Sequence, residues 1–269
     1  MSKSAYLQNL LDEIGGSINS LNTIAVSLSH LSPSSVTPSG LNITWNPVNV
    51  SVSAKNARRF AIRSSVVFHA EMLFEYLSEL SKDPFWASSG LNFNVPLKSK
   101  DSKARRVSAF CKTIPDIERE WVILVELMCH WRNKIVHAKS NAQISSKDRQ
   151  YLESKTQEIH DNYYHFDANK AIEDFRADKV TLKEATTLTT FLIKCCTAID
   201  TYYLSFVKNA SEADVINILS KEKEFLVLTK QSKSPKKIRQ VKAWLNMHYG
   251  MLSSDMIDGL VEYYTQQSI

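Results

Sequence analysis

The chain has 269 residues, of which 43% are hydrophobic and 23% charged, a balance that supports a packed core and excludes wholesale disorder. Six Gly and seven Pro are few for this length and favour long helices over a turn-rich β-fold. The net charge of +5 tilts the surface towards anionic partners without naming one.

Tyr6 to Ile14 reads as a short helix that stops at Gly15 and Gly16. A second helix from Ile18 to Leu31 carries Leu21, Ile24, Ala25 and Leu28 at helical spacing. Ser32 to Gly40 is a Ser/Pro-rich breaker. From Leu41 to Ser53 apolar and polar residues alternate around Pro47, as in a short extended hairpin or a plain loop. Lys55 to Ser81 is strongly helical, with Ile62, Val66, Ala70, Leu73, Leu77 and Leu80 along one face. Asp83 and Pro84 end it. A loop with Gly90 and Pro96 follows to about Asp101, and Ser102 to Lys112 forms a shorter helix stopped before Pro115.

Asp116 is placed to cap the next helix, which runs to about His137. Trp121, Leu124, Met128, Trp131 and Ile135 form its stripe, widened by Val122, Val125, Cys129 and Val136. Only Glu126, His130 and residues 132–134 interrupt the apolar character, so this helix is expected at the centre of a bundle. A polar helix from Ser145 to about Tyr164 and a brief one from Asn169 to Ala177 follow. Thr181 and Glu184 form a capping box, opening a long helix through Leu188, Phe191, Leu192, Cys195, Ile199, Tyr202 and Phe206 to about Asn209. Further helices span Ser211 to Leu228, Ser234 to His248 and Ser253 to Tyr264. The reading is an all-α antiparallel bundle: an N-terminal extension over 1–53, a core over 54–210, and a helical appendage over 211–269.

Cys111, Cys129, Cys195 and Cys196 include no Cys-x-x-Cys pair and no His at zinc spacing, which argues for core residues rather than disulfides or a metal site. No cofactor is expected. Met1 to Tyr6 lacks an apolar signal core and no run reaches the ~18 apolar residues of a membrane span, so a cytoplasmic protein is expected.

Arg132, Asn133 and His137 lie at the end of the most buried helix. Asn133 and His137 are one turn apart on one face, whereas Arg132 and His137 are separated by ~140° around a regular helix. A flexible Arg, or unwinding over Lys134 to Ala138, must therefore bring them together. Arg63 and His69 repeat the Arg-to-His spacing with one more residue between them. They sit mid-helix with no Asn after the Arg, and read as coincidence.

The order of long helix, short helix, buried helix ending in Arg132-Asn133-Lys134-Ile135-Val136-His137, insertion and long helix resembles the HEPN (higher eukaryotes and prokaryotes nucleotide-binding) family. Its ribonucleases carry Arg-x(4–6)-His near the end of the third core helix. The resemblance covers roughly residues 54–210. It implies a metal-independent endoribonuclease, a toxin or antiviral effector, that forms a homodimer with two motifs lining one cleft. His137 would act as acid/base group, Arg132 as phosphate clamp, and Asn133 would orient the phosphate or support the His. An acidic residue from the first core helix often joins such sites; Glu71 fits that place, with Glu75 one turn on as the alternative. RNA would be the substrate and an antitoxin a further partner, and a non-catalytic dimerisation or nucleotide-binding module is the alternative role. The wide apolar face around Trp131 and Val136 is expected to serve the dimer.

Beyond the motif, His130 is expected to be a buried, hydrogen-bonded or surface residue rather than a member of the cleft. His160, His165, Tyr163 and Tyr164 cluster in the insertion without ligand partners at metal spacing. Lys230, Lys233, Lys236, Lys237, Arg239 and Lys242, with Trp244 and Tyr249 nearby, suit either phosphate contact and base stacking or a solvated face.

Overall fold

The computed structural model describes residues 3–96, 102–137, 139–232 and 234–266, so Ala138 and Lys233 lie outside it. The architecture is all-helical. Its first helix, α1 (Ala5–Ser29), is capped by the Ser4 hydroxyl and does not break at Gly15 and Gly16. An interior glycine costs about 1 kcal/mol relative to Ala, and the buried side chains of Leu7, Leu10, Ile14 and Leu21 carry the helix through it.

Of the two alternatives for Leu41 to Ser53, hairpin and plain loop, the loop is found, and it runs only to Asn49. Asn49 accepts a hydrogen bond from Val52 N at 3.0 Å and opens α2 (Val50–Leu80), so Val50 to Ser53 form its first turn. An isolated two-stranded hairpin has no sheet to join here, and the helix cap satisfies backbone donors that it would leave bare. A 3-10 turn (Trp86–Ser89) and α3 (Lys103–Cys111) follow. Next comes α4 (Arg119–Val136), whose N-cap is Glu118 rather than Asp116. Asp116 lies two residues early, in the loop, with φ +63°.

The expected single helix over 145–164 is two, α5 (Ser146–Ser154) and α6 (Thr156–Asn162), parted at Lys155 with φ −105° and ψ 7°. After α7 (Ala168–Arg176), the capping box of Thr181 and Glu184 opens α8 (Leu182–Asn209) as expected. The Ser211 to Leu228 segment is also divided, into α9 (Glu212–Leu219) and α10 (Lys223–Thr229); α11 (Pro235–Tyr249) and α12 (Ser254–Gln266) complete the chain.

Side-chain contacts fix the directions of the long helices. Tyr6 at the start of α1 bonds Asp83 beyond the end of α2, and Arg58 near the start of α2 reaches Ala25 O near the end of α1, so the two are antiparallel. His69 meets Thr189 and Tyr76 meets Cys196 O, so α2 and α8 run parallel. Near the start of α4, Trp121 meets Lys194, well inside α8, while Lys134 near the end of α4 reaches Phe175 and Arg176 ahead of the start of α8, so α4 and α8 are antiparallel. Thus α1, α2, α4 and α8 form an up–down–up–down bundle. Its first member comes from the stretch read as an extension. From Val122 to Trp131 every residue of α4 except Glu126 is buried, which makes it the central helix. The core is continuous from Leu7 to Tyr264 and includes Phe225, Val241, Leu245 and Leu260 of the C-terminal helices.

Candidate functional site

Arg132, Asn133 and His137 converge where α4 ends. The apolar residues of α4 face the bundle, so its last turn has lost its burial and opens to solvent: Arg132 and Asn133 are half-buried, and His137 is exposed. His137 leaves the helix with φ −121° and ψ 102°, while its N–H still donates to Asn133 O at 2.9 Å. The non-helical φ of His137 and the length of the Arg132 side chain together close the ~140° separation of a regular helix. Arg132 Nη1 lies 3.3 Å from His137 Nε2 and donates to Asn133 Oδ1 at 3.2 Å. An N–H donor facing Nε2 needs a lone pair there, so the contact is a hydrogen bond in the tautomer that carries its proton on Nδ1.

Glu71, from the middle of α2, completes the group. Arg132 Nε donates to Glu71 Oε1 at 2.5 Å, and Lys103 Nζ, at the start of α3, lies 3.5 Å from the other carboxylate oxygen. Of the two acidic candidates on α2, Glu71 is therefore the one that contacts the motif. The Arg132 side chain is only 18% exposed, which keeps the pair from the full screening of water.

Lys134 points elsewhere. Its Nζ donates to Phe175 O at 2.6 Å, which also accepts from Asp178 N at 3.3 Å, and to Arg176 O at 3.3 Å, both carbonyls at the end of α7. Trp131 offers no surface for a partner, contrary to expectation. It is 1% exposed and meets Phe175 edge-on at 5.1 Å, leaving Val136, at 46% exposure, as the apolar residue displayed beside the motif.

The second Arg/His spacing has a structural explanation. Arg63 pairs with Asp178 at 2.8 Å, while His69 is buried against Thr189 at 2.8 Å, and burial pushes its imidazole down to about 4. His130 is buried as well, 3.4 Å from Glu126 Oε1 without hydrogen-bond alignment. His160 and His165 approach each other, their ring centroids 4.7 Å apart. Among the described residues no group of three His, Cys, Asp or Glu side chains is arranged to hold a metal ion. All four cysteines are buried as free thiols, and burial pushes the Cys129 thiol up.

In the C-terminal basic stretch, Lys236, Arg239 and Lys242 are exposed on α11, and Lys242 pairs with Asp258 at 2.7 Å. Lys237 departs from expectation: it is buried, at 1% exposure, on the face that carries Val241 and Leu245 inward. Helical spacing alone puts 237, 241 and 245 on one face. The contribution of Lys103 escaped the sequence reading, since 32 residues separate it from Glu71 and no motif links them.

No described helix is long and apolar enough to cross a membrane. No family model, curated protein or solved structure matches the chain.

Proposed function

We propose that the chain is a metal-independent endoribonuclease of the HEPN type, with Arg132 and His137 at its chemical centre. The observation that supports this best is the contact of Arg132 Nη1 with His137 Nε2 at 3.3 Å, at the open end of an otherwise buried helix. In the proposed reaction a base removes the proton of a ribose 2′-OH and the 2′-oxygen attacks phosphorus. The bond from phosphorus to the 5′-oxygen then breaks, and an acid returns a proton to that oxygen. The products are a 2′,3′-cyclic phosphate and a 5′-OH. His137 takes the proton-transfer role, and Arg132 neutralises charge on the phosphorane, with Asn133 and Glu71 fixing its direction.

One His serves one side of this transfer at a time. A two-fold dimer that sets two motifs across one cleft supplies the other, and the exposed Val136 belongs to that interface. A toxin or antiviral effector of this kind needs restraint in its host, which an antitoxin partner provides. The decisive experiment is incubation of RNA with purified protein in millimolar EDTA, followed by mapping of the product ends. Cleavage that vanishes with chelator and returns with Mg²⁺ overturns the proposal.

A second reading draws on the Arg132–Glu71 ion pair at 2.5 Å. A guanidinium held this closely also serves a non-catalytic dimerisation or nucleotide-binding module. Folded, dimeric protein that binds nucleotide and leaves RNA intact is the result that favours it.

A further inference from the structure

Glu71 borders a second space. With Phe74, Glu75, Ser78, Asn94, Lys103 and Arg106 it lines a cleft of about 280 Å³ between α2, the start of α3 and residues 93–94. Resting on the ribonuclease reading, we propose that this cleft is a nucleobase subsite: it takes one unpaired base next to the phosphate held by Arg132, with Lys103 on the adjoining phosphate and Asn94 on the base edge.

The two cations are already spaced around one carboxylate, Arg132 on Oε1 and Lys103 on Oε2 of Glu71. Phosphate oxygens accept from a guanidinium and an ammonium alike, so an RNA backbone with one phosphate on Arg132 brings the next within reach of Lys103. Lys103 Nζ also lies 4.8 Å from the Phe74 ring centroid, which holds the ammonium at the cleft edge.

The cleft has the chemistry of a base edge. Asn94 Nδ2 donates to Ser78 O at 3.0 Å, and Ser78 Oγ donates to Asn94 Oδ1 at 2.7 Å. The amide is thereby fixed in direction, with one N–H and one oxygen lone pair still to offer, the adjacent donor and acceptor that suit a nucleobase. Arg106 forms another wall. Its guanidinium lies 5.0 Å from the Phe93 ring centroid and donates to Phe93 O at 3.0 Å, while its buried Nε has no hydrogen-bond partner among the described residues. A planar cation held in this way offers a face for stacking. A base inside a duplex has its edge occupied and its faces stacked, so only an unpaired nucleotide can enter.

The test uses full-length His137→Ala protein, which keeps Arg132 while lacking the proton-transfer group. Fluorescence anisotropy compares a labelled single-stranded RNA octamer, the same octamer paired into a duplex, and an abasic version of the single strand. We expect the single strand to bind at least about tenfold more tightly than the duplex, whose base edges and faces are already occupied. Lys103→Ala should weaken binding and lower the slope of log affinity against log salt by about one phosphate contact. Asn94→Ala should weaken binding of the normal strand by about tenfold and leave the abasic strand unchanged. Equal affinity for strand and duplex, or indifference to both substitutions while Arg132→Ala still abolishes binding, overturns the subsite and spares the ribonuclease reading. Absence of RNA binding by any variant, with all of them folded, overturns both.

Discussion

Arg132 donates to an acid, an amide and an imidazole, so its removal and that of His137 report different losses. His137→Ala takes away the proposed proton-transfer group, yet the position is exposed and lies just past the helix. General acid–base groups contribute about 10²–10⁴-fold, so cleavage should fall by that range with the melting temperature within a few degrees of the parent. Arg132→Ala should lose a comparable amount through the phosphorane, and Arg132→Lys should recover little, because an ammonium cannot reproduce the directed fork of a guanidinium. Cleavage rate and melting temperature measured on the same preparations decide the matter. A stable His137→Ala protein with full activity removes His137 from the reaction. Variants that unfold or dissociate assign both residues to structure.

At the scale of elements, one contact ties the motif helix to its neighbour and another caps the last long helix of the bundle. Lys134 ties the end of α4 to the carbonyls ending α7. Lys134→Ala should cost about 1 kcal/mol, the net worth of a partly exposed charged hydrogen bond, and lower cleavage by loosening the turn that carries His137. Lys134→Ala protein with unchanged stability in urea titration would contradict that role. The capping box of α8 makes a pH-dependent contribution. Burial raises the Glu184 carboxyl to about 7, with its neighbour Asp174 adding to the effect and hydrogen bonds from Thr181 opposing it. A carboxyl raised on folding contributes stability below its unfolded value, near 4.5, that is lost as pH climbs towards 7. Asp174 is shifted the other way, chiefly by its hydrogen bond from Lys170, and its contribution falls away only below its ordinary 3.8. Glu184→Gln keeps an oxygen for the cap, so between pH 4.5 and 7 its melting temperature should fall less steeply than the parent's. Parallel curves would dismiss Glu184 as the source.

For the whole molecule, the prediction concerns assembly and the path of RNA. A cleft shared across a two-fold axis requires a species near twice 30.6 kDa in sedimentation, and a strict monomer contradicts the shared site. On α11 the exposed pair Lys236 and Arg239 is available to phosphates, whereas Lys237 is buried. Lys236→Glu with Arg239→Glu should weaken RNA binding and flatten its salt dependence while the protein stays folded. Adding Lys237→Glu should instead destabilise the C-terminal helices, since it reverses a charge in a buried position. Unaltered binding by the double variant returns this face to simple solvation.

The long helices were legible in the sequence because their burial repeats with the helical period: Ile62 to Leu80 on α2, Trp121 to Ile135 on α4, and Leu188 to Phe206 on α8. Local chemistry also sufficed for the Thr181–Glu184 cap, whose donors and acceptors lie within four residues. Short-range signals misled where packing outweighed them, as at Gly15 and Gly16, which stay helical because the flanking leucines and isoleucine are buried. The candidate site divides along the same line. Arg132, Asn133 and His137 are close in sequence and could be nominated from it. The resemblance nominates Glu71 with Glu75 as its alternative, and the tertiary structure puts Glu71 on Arg132. Only the tertiary structure adds Lys103, buries Trp131 and Lys237, and turns Lys134 towards α7. Those outcomes depend on which faces of separate helices meet, and a one-dimensional pattern records each helix's own apolar face but not the neighbour that covers it.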